Sequence, residues 1–208
     1  MKTLIKFPFK GEPEQFKIAY NRWNNERVHI VCSFDRHDKV DTPQFKKWLL
    51  DNHIEAYWNE AKGKIRAVNA NLQGQDFDLM ILASADMVPQ CAEYDLRISE
   101  LFKQSFSNGD GVLHLNDGIQ GESLNTLCIL DKKYYYRFGY IYHPSYQSLW
   151  SDNEFMEVSR RLGMAKYIDE CIVRHEWDFT NPVIAKNQRW FSRDKANFEN
   201  RKLRGFPK

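Results

Sequence analysis

The sequence predicts an α/β domain, a mixed, mostly parallel sheet flanked by helices. Three observations predict it. The first half alternates strand and helix four times, the pattern that builds parallel sheets through right-handed crossovers. Residues 79–83, Leu-Met-Ile-Leu-Ala, are apolar without alternation, as in a strand buried on both faces. The chain has 208 residues, 42% of them hydrophobic, with no repeat, low-complexity tract or linker, which suits one mixed domain.

The elements follow in order. Residues 4–7 read as a first strand, ending in the turn-rich run Pro8-Phe9-Lys10-Gly11-Glu12-Pro13. Residues 14–24 place Phe16, Ala19, Tyr20 and Trp23 on one helical face. A strand over 28–34 closes at Asp35, and Thr42-Pro43 supplies the cap and first position of a short helix. A weaker strand over 54–58 and the basic loop Lys62-Gly63-Lys64 precede a helix over 65–72. After the central strand come a helix over 93–106, strands over 112–115 and 127–130, and a helix over 132–138 that Gly139 ends. An aromatic loop over 140–150 leads to a helix over 152–162, for which Ser151 and Glu154 match a capping box. Residues 172–174 read as the last strand, ending at His175.

Composition narrows the function classes. No segment is apolar enough for a membrane span, and Met1 to Phe7 is too short and charged for a signal peptide, so a cytoplasmic protein without integral membrane contact is expected. Cys32, Cys91, Cys128 and Cys171 are widely spaced, which favours buried free thiols over disulfides or zinc. The net charge of +2 hides an asymmetry: residues 186–208 carry eight basic and two acidic residues, a surplus of +6 against −4 for residues 1–185. Trp190, Phe191, Phe198 and Phe206 interleave with that charge. Such a tail either touches phosphates and bases or is an ordinary segment pinned to the body by its aromatics. The expected division is a domain over 1–185 and a basic aromatic tail over 186–208, packed on it or extending from it.

Candidate functional residues lie where strands end. Asp86 follows the central strand, at the carboxyl end where open α/β sheets bind ligands; the competing reading is a turn residue. Pro89 is expected to block any immediate return to regular pairing. Asp35 and His175 also end strands, and Asp with His suits a divalent ion such as Mn²⁺. Asp35 could accept hydrogen bonds from a base or ribose. Asp152 opens a helix and could serve as a general base, or merely favour the helix dipole.

These residues resemble the compact GT-A nucleotide-sugar glycosyltransferases, the small bacterial and phage members akin to family-two enzymes. The resemblance spans the first strand to His175. The run Lys6-Phe7-Pro8-Phe9-Lys10-Gly11-Glu12-Pro13-Glu14 is similar to the loop that wraps the nucleotide. Ser33-Phe34-Asp35 resembles the strand end whose acid reads the base, and Gly63-Lys64-Ile65-Arg66-Ala67-Val68-Asn69-Ala70 the stretch that helps hold the nucleotide. Ser84-Ala85-Asp86-Met87 stands where the family carries an acidic metal motif. The most specific match is Phe138-Gly139-Tyr140-Ile141-Tyr142-His143-Pro144-Ser145-Tyr146, continuing from Ser148 to Phe155; Arg174-His175-Glu176 resembles the late histidine of the metal shell.

The resemblance implies a single Rossmann-like GT-A domain and a metal-dependent glycosyltransferase (hexosyl- or pentosyltransferase). Its donor would be a nucleoside diphosphate sugar, with UDP-sugar first. Pro8, Phe9, Lys10, Asp35, Lys64, Ile65, Asn69, Ser84 and Ala85 would bind that donor. Asp86 and His175 would hold Mn²⁺ or Mg²⁺, and Asp152 with Glu154 would carry the catalysis, with inversion. Asn116, Asp117 and Trp150 would line the acceptor side. Ala85 departs from the pattern, which has an acid there; three readings are open, an enzyme that manages with Asp86 and His175, a deliberately impaired variant, which is favoured, or a binding protein without turnover. For the acceptor, the resemblance to phage enzymes and the basic tail point to hydroxymethylated pyrimidine in DNA, in a bacterial or phage-infected cytoplasm. Surface polysaccharide or glycan assembly is the alternative.

Overall fold

The computed structural model describes residues 1–60, 63–177 and 187–207. Lys62 of the basic loop, Lys186 and Lys208 of the tail, and the expected boundary at 185/186 lie outside the described residues.

Seven strands form one sheet in the order β3-β2-β1-β4-β7-β6-β8. They are β1 (Thr3–Phe9), β2 (Val28–Asp35), β3 (Ala56–Asn59), β4 (Leu79–Leu82), β6 (Val112–Leu115), β7 (Ile129–Asp131) and β8 (Ala165–Ile168). Only β7 runs against its neighbours, β4 and β6; the remaining pairings are parallel. Six carboxyl ends therefore share one edge of the domain.

Both faces of the sheet are covered. On one, Ile5, Phe7, Cys32, Phe34, Leu79 and Ile81 pack against α1 (Pro13–Trp23), α2 (Pro43–Asp51) and α4 (Tyr94–Ser105) through residues such as Phe16, Phe45 and Phe102. On the other, Leu4, Val31, Met80 and Leu130 meet α3 (Lys64–Asn69), α5 (Lys132–Phe138), α6 (Ser151–Arg161) and α7 (Phe191–Leu203). Alternation along each strand assigns side chains to the two layers, which is why β4 shows no polar face.

Local signals held at several ends. Thr42 accepts the Phe45 N–H at 3.2 Å with Pro43 in the first turn, and Gly139 closes α5 at φ 76°. Four expectations are corrected. Residues 87–89 do pair again: β5 (Met87–Pro89) joins β9 (Val173–His175) in a two-stranded antiparallel sheet. Pro89 is tolerated because this small sheet has only edge strands. The strand β8 was not expected, because Ala-Lys-Tyr-Ile alternates weakly and lies at a sheet edge. Ser151 does not cap α6; the cap position is Trp150, in the left-handed region at φ 64°. Finally, Cys32 and Cys128 are buried but Cys91 and Cys171 are exposed, all four being free thiols.

Among the described residues, the core contains one unpaired cation. Lys6 on β1 is 0% exposed. Its ammonium donates to Ser33 Oγ, which donates to Asn71 Oδ1 at 2.8 Å; Asn59 donates to the same oxygen at 2.9 Å. No carboxylate accompanies it among the described residues, and burial pushes its pKa down to about 7. The folded state thus holds fewer protons than the unfolded chain between about 7 and the ordinary lysine value near ~10.5. The charge penalty is full below that window and fades as pH rises through it. Lys6→Met is expected to raise stability by a few kcal/mol near neutrality, at about 1.4 kcal/mol per unit of displacement. Melting curves from pH 6.5 to 10 should show the gap to the parent narrowing; a constant gap would contradict the assignment.

Candidate functional site

Three chain segments meet at the carboxyl edge of the sheet. The first leaves β4 as Ser84-Ala85-Asp86, the second leaves β6 as Asn116-Asp117, and the third is the end of β9. The β5–β9 ladder sets their register: Met87 pairs with His175, and the Glu176 N–H donates to the Asp86 carbonyl at 2.6 Å. The His175 N–H donates to the Asp117 carbonyl at 2.8 Å.

This places an imidazole between two carboxylates. His175 Nε2 lies 3.3 Å from Asp86 Oδ2, and Nδ1 lies 3.6 Å from Asp117 Oδ2. At that separation Nδ1 is a buried atom in ion-pair range but without a hydrogen bond. Burial alone would lower the imidazole pKa; the two carboxylates outweigh it and raise it to about 8. Burial likewise pushes both acids up and is likewise outweighed. His175 and Ser84 hold Asp86 below the usual carboxylate range, and His175, Thr126 and backbone N–H groups hold Asp117 well below it. Ser84 Oγ donates to Asp86 Oδ1. Thr126 donates to Asp117 Oδ2 at 2.6 Å, while the N–H groups of Ile119 and Gln120 donate to Oδ1 at 2.9 and 2.6 Å.

The donor set fits a divalent cation. Asp86 and His175 lie side by side as candidate ligands, and Asp117 stands behind His175 where it would orient the ring of a ligating histidine. Among the described residues no group of three or more His, Cys, Asp or Glu side chains could hold a metal. An ion here would complete its shell with substrate oxygens and water, as small hard cations commonly do.

The remaining candidates separate into free and engaged groups. Asp35, at the end of β2, is half-buried and its Oδ1 is a buried acceptor with no partner. Burial raises its pKa, opposed by the Lys10 charge and a Gly63 N–H bond. Lys10, Lys64 and Ala85 are exposed, and Pro8 is half-buried. Asp152, in the first turn of α6, is half-buried. Its Oδ1 accepts the Asn153 N–H at 3.0 Å, and it forms no ion pair among the described residues. Its charge and that of Lys64 both act on the Cys128 thiol, at the start of the strand beside β4.

Seven candidates have partners or packing within the fold. Asn69 is used up in the fold: Nδ2 donates to the Tyr142 carbonyl at 2.6 Å, and Oδ1 accepts from Ile141 and Tyr142 at 2.9 and 3.2 Å. Ile65 is a core side chain, and Phe9 belongs to a ring cluster with Phe7, Phe16 and Phe34. Glu154 forms a two-pronged pair with Arg201 at 2.7 and 2.9 Å and accepts from Tyr146 at 2.7 Å, so a structural ion pair consumes it. Asp117 stands behind His175. Trp150 packs on Phe191 and Phe198 of α7. Asn116, the remaining residue placed on the acceptor side, donates to Asp169 at 2.7 Å. Sequence reasoning missed Thr126, Asp194 and Arg201; none follows a strand, so the signal that marked Asp86 was silent for them.

No protein-family model matches the sequence, and a search of curated proteins finds no match. Solved structures do match. The mannosyltransferase PcManGT from Pyrobaculum calidifontis, in complex with GDP-Man and Mn²⁺, superimposes with TM-score 0.67 at 10% identity over 90% of this chain. The chain has the GT-A fold. S. aureus TarS 1-349 with UDP-GlcNAc gives TM-score 0.64 at 13% identity over 87% of the chain. Glucosyl-3-phosphoglycerate synthase from Mycobacterium tuberculosis, with Mn²⁺, UDP-Glc and phosphoglyceric acid, gives 0.63 at 10% over 100%. The chain spans 60% of the length of PcManGT and of TarS 1-349, and 81% of the synthase. At these identities the likeness is one of fold. No helix among the described residues is long and apolar enough to cross a membrane.

Proposed function

We propose that this protein is a nucleotide-sugar glycosyltransferase that transfers a sugar to an acceptor hydroxyl with inversion. The observation that carries the reading is the Asp86–His175–Asp117 constellation at the carboxyl edge of a GT-A sheet, the edge where ligands bind in open α/β folds. The matched structures bind GDP-mannose, UDP-GlcNAc and UDP-glucose, two of the three with Mn²⁺.

Each residue then has a task. The unpartnered Oδ1 of Asp35 accepts a hydrogen bond from the base, and Lys10 and Lys64 supply positive charge beside the diphosphate. Asp86 and His175 hold the divalent cation, which when bound offsets negative charge on the diphosphate leaving group. Asp152 takes the proton of the acceptor hydroxyl as its oxygen bonds to the anomeric carbon and the bond from that carbon to the diphosphate oxygen breaks. Asp117 keeps His175 oriented.

For the acceptor, we propose hydroxymethylated pyrimidine in DNA. Support comes from the tail, where Arg189 and Arg193 lie over the Trp190 ring at 4.9 and 5.4 Å and Lys195, Lys202 and Arg204 are exposed. Such a surface should bind duplex DNA with strong salt dependence, and the target base would be flipped out to reach the site.

The deciding experiment offers UDP- and GDP-sugars with Mn²⁺ to the parent and to Ala85→Asp, beside hydroxymethylated DNA and simple glycans, with products read by mass. Position 85 is exposed, one residue before Asp86. An added acid there should raise donor turnover over the parent. Equal rates would remove any importance from the missing acid. Absence of transfer and hydrolysis in both proteins would leave a nucleotide-sugar binding protein. Transfer to free glycans that ignores salt would overturn the DNA acceptor.

A further inference from the structure

We infer that Asp194, outside the transfer site itself, is the positioning residue that sets Asp152. The inference rests on the transferase reading for its kinetic consequence, though not for its geometry. Asp194 lies in α7, 0% exposed. Its carboxylate is paired with no basic side chain among the described residues. It accepts instead from three consecutive backbone N–H groups: Gln147 at 3.1 Å to Oδ1, and Ser148 and Leu149 each at 2.9 Å to Oδ2. Successive N–H groups converging on one point form an anion-binding concavity. Here the chain supplies the anion itself.

The held turn lies between the two halves of the site. On its amino side, a Cβ placed on Gly63 would lie 3.8 Å from the Gln147 carbonyl oxygen, and the Gly63 N–H bonds Asp35. On its carboxyl side the chain enters Trp150 at φ 64°, a conformation a bulky residue rarely adopts, and Asp152 follows two residues later. Trp150 is clamped at ring distances of 5.6 Å from Phe191 and 5.4 Å from Phe198, both on α7. The same helix ties down its neighbours at two further points. Asn197 donates to Ser145 Oγ at 2.8 Å, and Arg201 pairs with Glu154. Three backbone bonds to one carboxylate fix the path of residues 147–149, and the aromatic clamp converts that path into the left-handed entry to α6. The direction in which Asp152 leaves the first turn depends on both.

Asp194→Asn tests this. The amide keeps one acceptor oxygen for Ser148 and Leu149 but turns a donor toward the Gln147 N–H, so the anchor is weakened while side-chain size is kept. The expected result is a kcat lowered by up to about 10²-fold, the scale of an ångström of misplacement, with donor KM within about twofold of the parent and melting well above the assay temperature. Amide hydrogen exchange at residues 147–149 should accelerate in the same protein. Should Asn not fold, Asp194→Ser leaves room for water to serve the amides and carries the same expectations. Parental kcat in either folded variant, a loss confined to KM, or unchanged exchange at 147–149 would overturn the inference. A parent protein that turns over no donor defeats the transferase reading alone, and the exchange measurement then decides the anchoring.

Discussion

Asp152→Asn is expected to lower sugar transfer by about 10²–10⁴-fold, the usual contribution of a positioned general base, while donor binding stays at the parental level. Two acids share the start of α6, and their surroundings divide their roles. Glu154 is buried, bound by both prongs of Arg201 and by Tyr146. Its charge is already neutralised, and losing it would cost stability. Asp152 has only the neighbouring Asn153 N–H, and no cation pairs with it among the described residues. A base must have a carboxylate oxygen free for the incoming proton, and Asp152 meets that condition. Asparagine preserves size and the contact with Asn153 but cannot take the proton. Donor affinity by calorimetry and transfer by mass spectrometry separate the two effects. Transfer within a few-fold of the parent would remove Asp152 from the mechanism.

The second large effect concerns the cation. His175→Ala should abolish measurable Mn²⁺ binding, and Asp117→Asn should weaken it about 10- to 100-fold although residue 117 touches no ion. The reason is tautomeric. With a carboxylate behind it, the neutral form of His175 favours its proton on Nδ1, which leaves the Nε2 lone pair beside Asp86. With asparagine, the Oδ1 acceptor can still serve Ile119 and Gln120, so the turn survives, but an N–H₂ group faces Nδ1. That contact favours the proton on Nε2, where it blocks coordination. Mn²⁺ titration followed by paramagnetic resonance, with nucleoside diphosphate present, reads this without turnover. Unchanged affinity in Asp117→Asn would mean that Asp117 serves only the turn at 117–121.

The two variants probe different levels of the fold. Asp152 acts from one turn of one helix. The candidate cation site is assembled from segments beginning 89 residues apart, and it would fail if either ladder partner shifted register by one residue, since successive side chains in a strand point to opposite faces.

That difference marks what the sequence by itself determined. Apolar runs without alternation, such as 79–82, announce strands covered on both sides, and the strand–helix alternation of the first half announces parallel pairing. Both are local consequences of side-chain periodicity and chain connectivity. The acids that follow strands, Asp35, Asp86 and Asp117, could be singled out for the same reason. Tertiary structure alone decided which of these groups are free. Asn69 and Glu154 looked equivalent to Asp35 and Asp152 in one dimension, yet Tyr142 and Arg201 consume the first two. It also decided that Pro89 lies in a paired strand, that Asp117 stands behind His175, and that Asp194 holds the loop before Asp152. Each of these depends on a partner far along the chain. Hydrogen-bond capacity is local, but its satisfaction is settled only when packing brings donors and acceptors together.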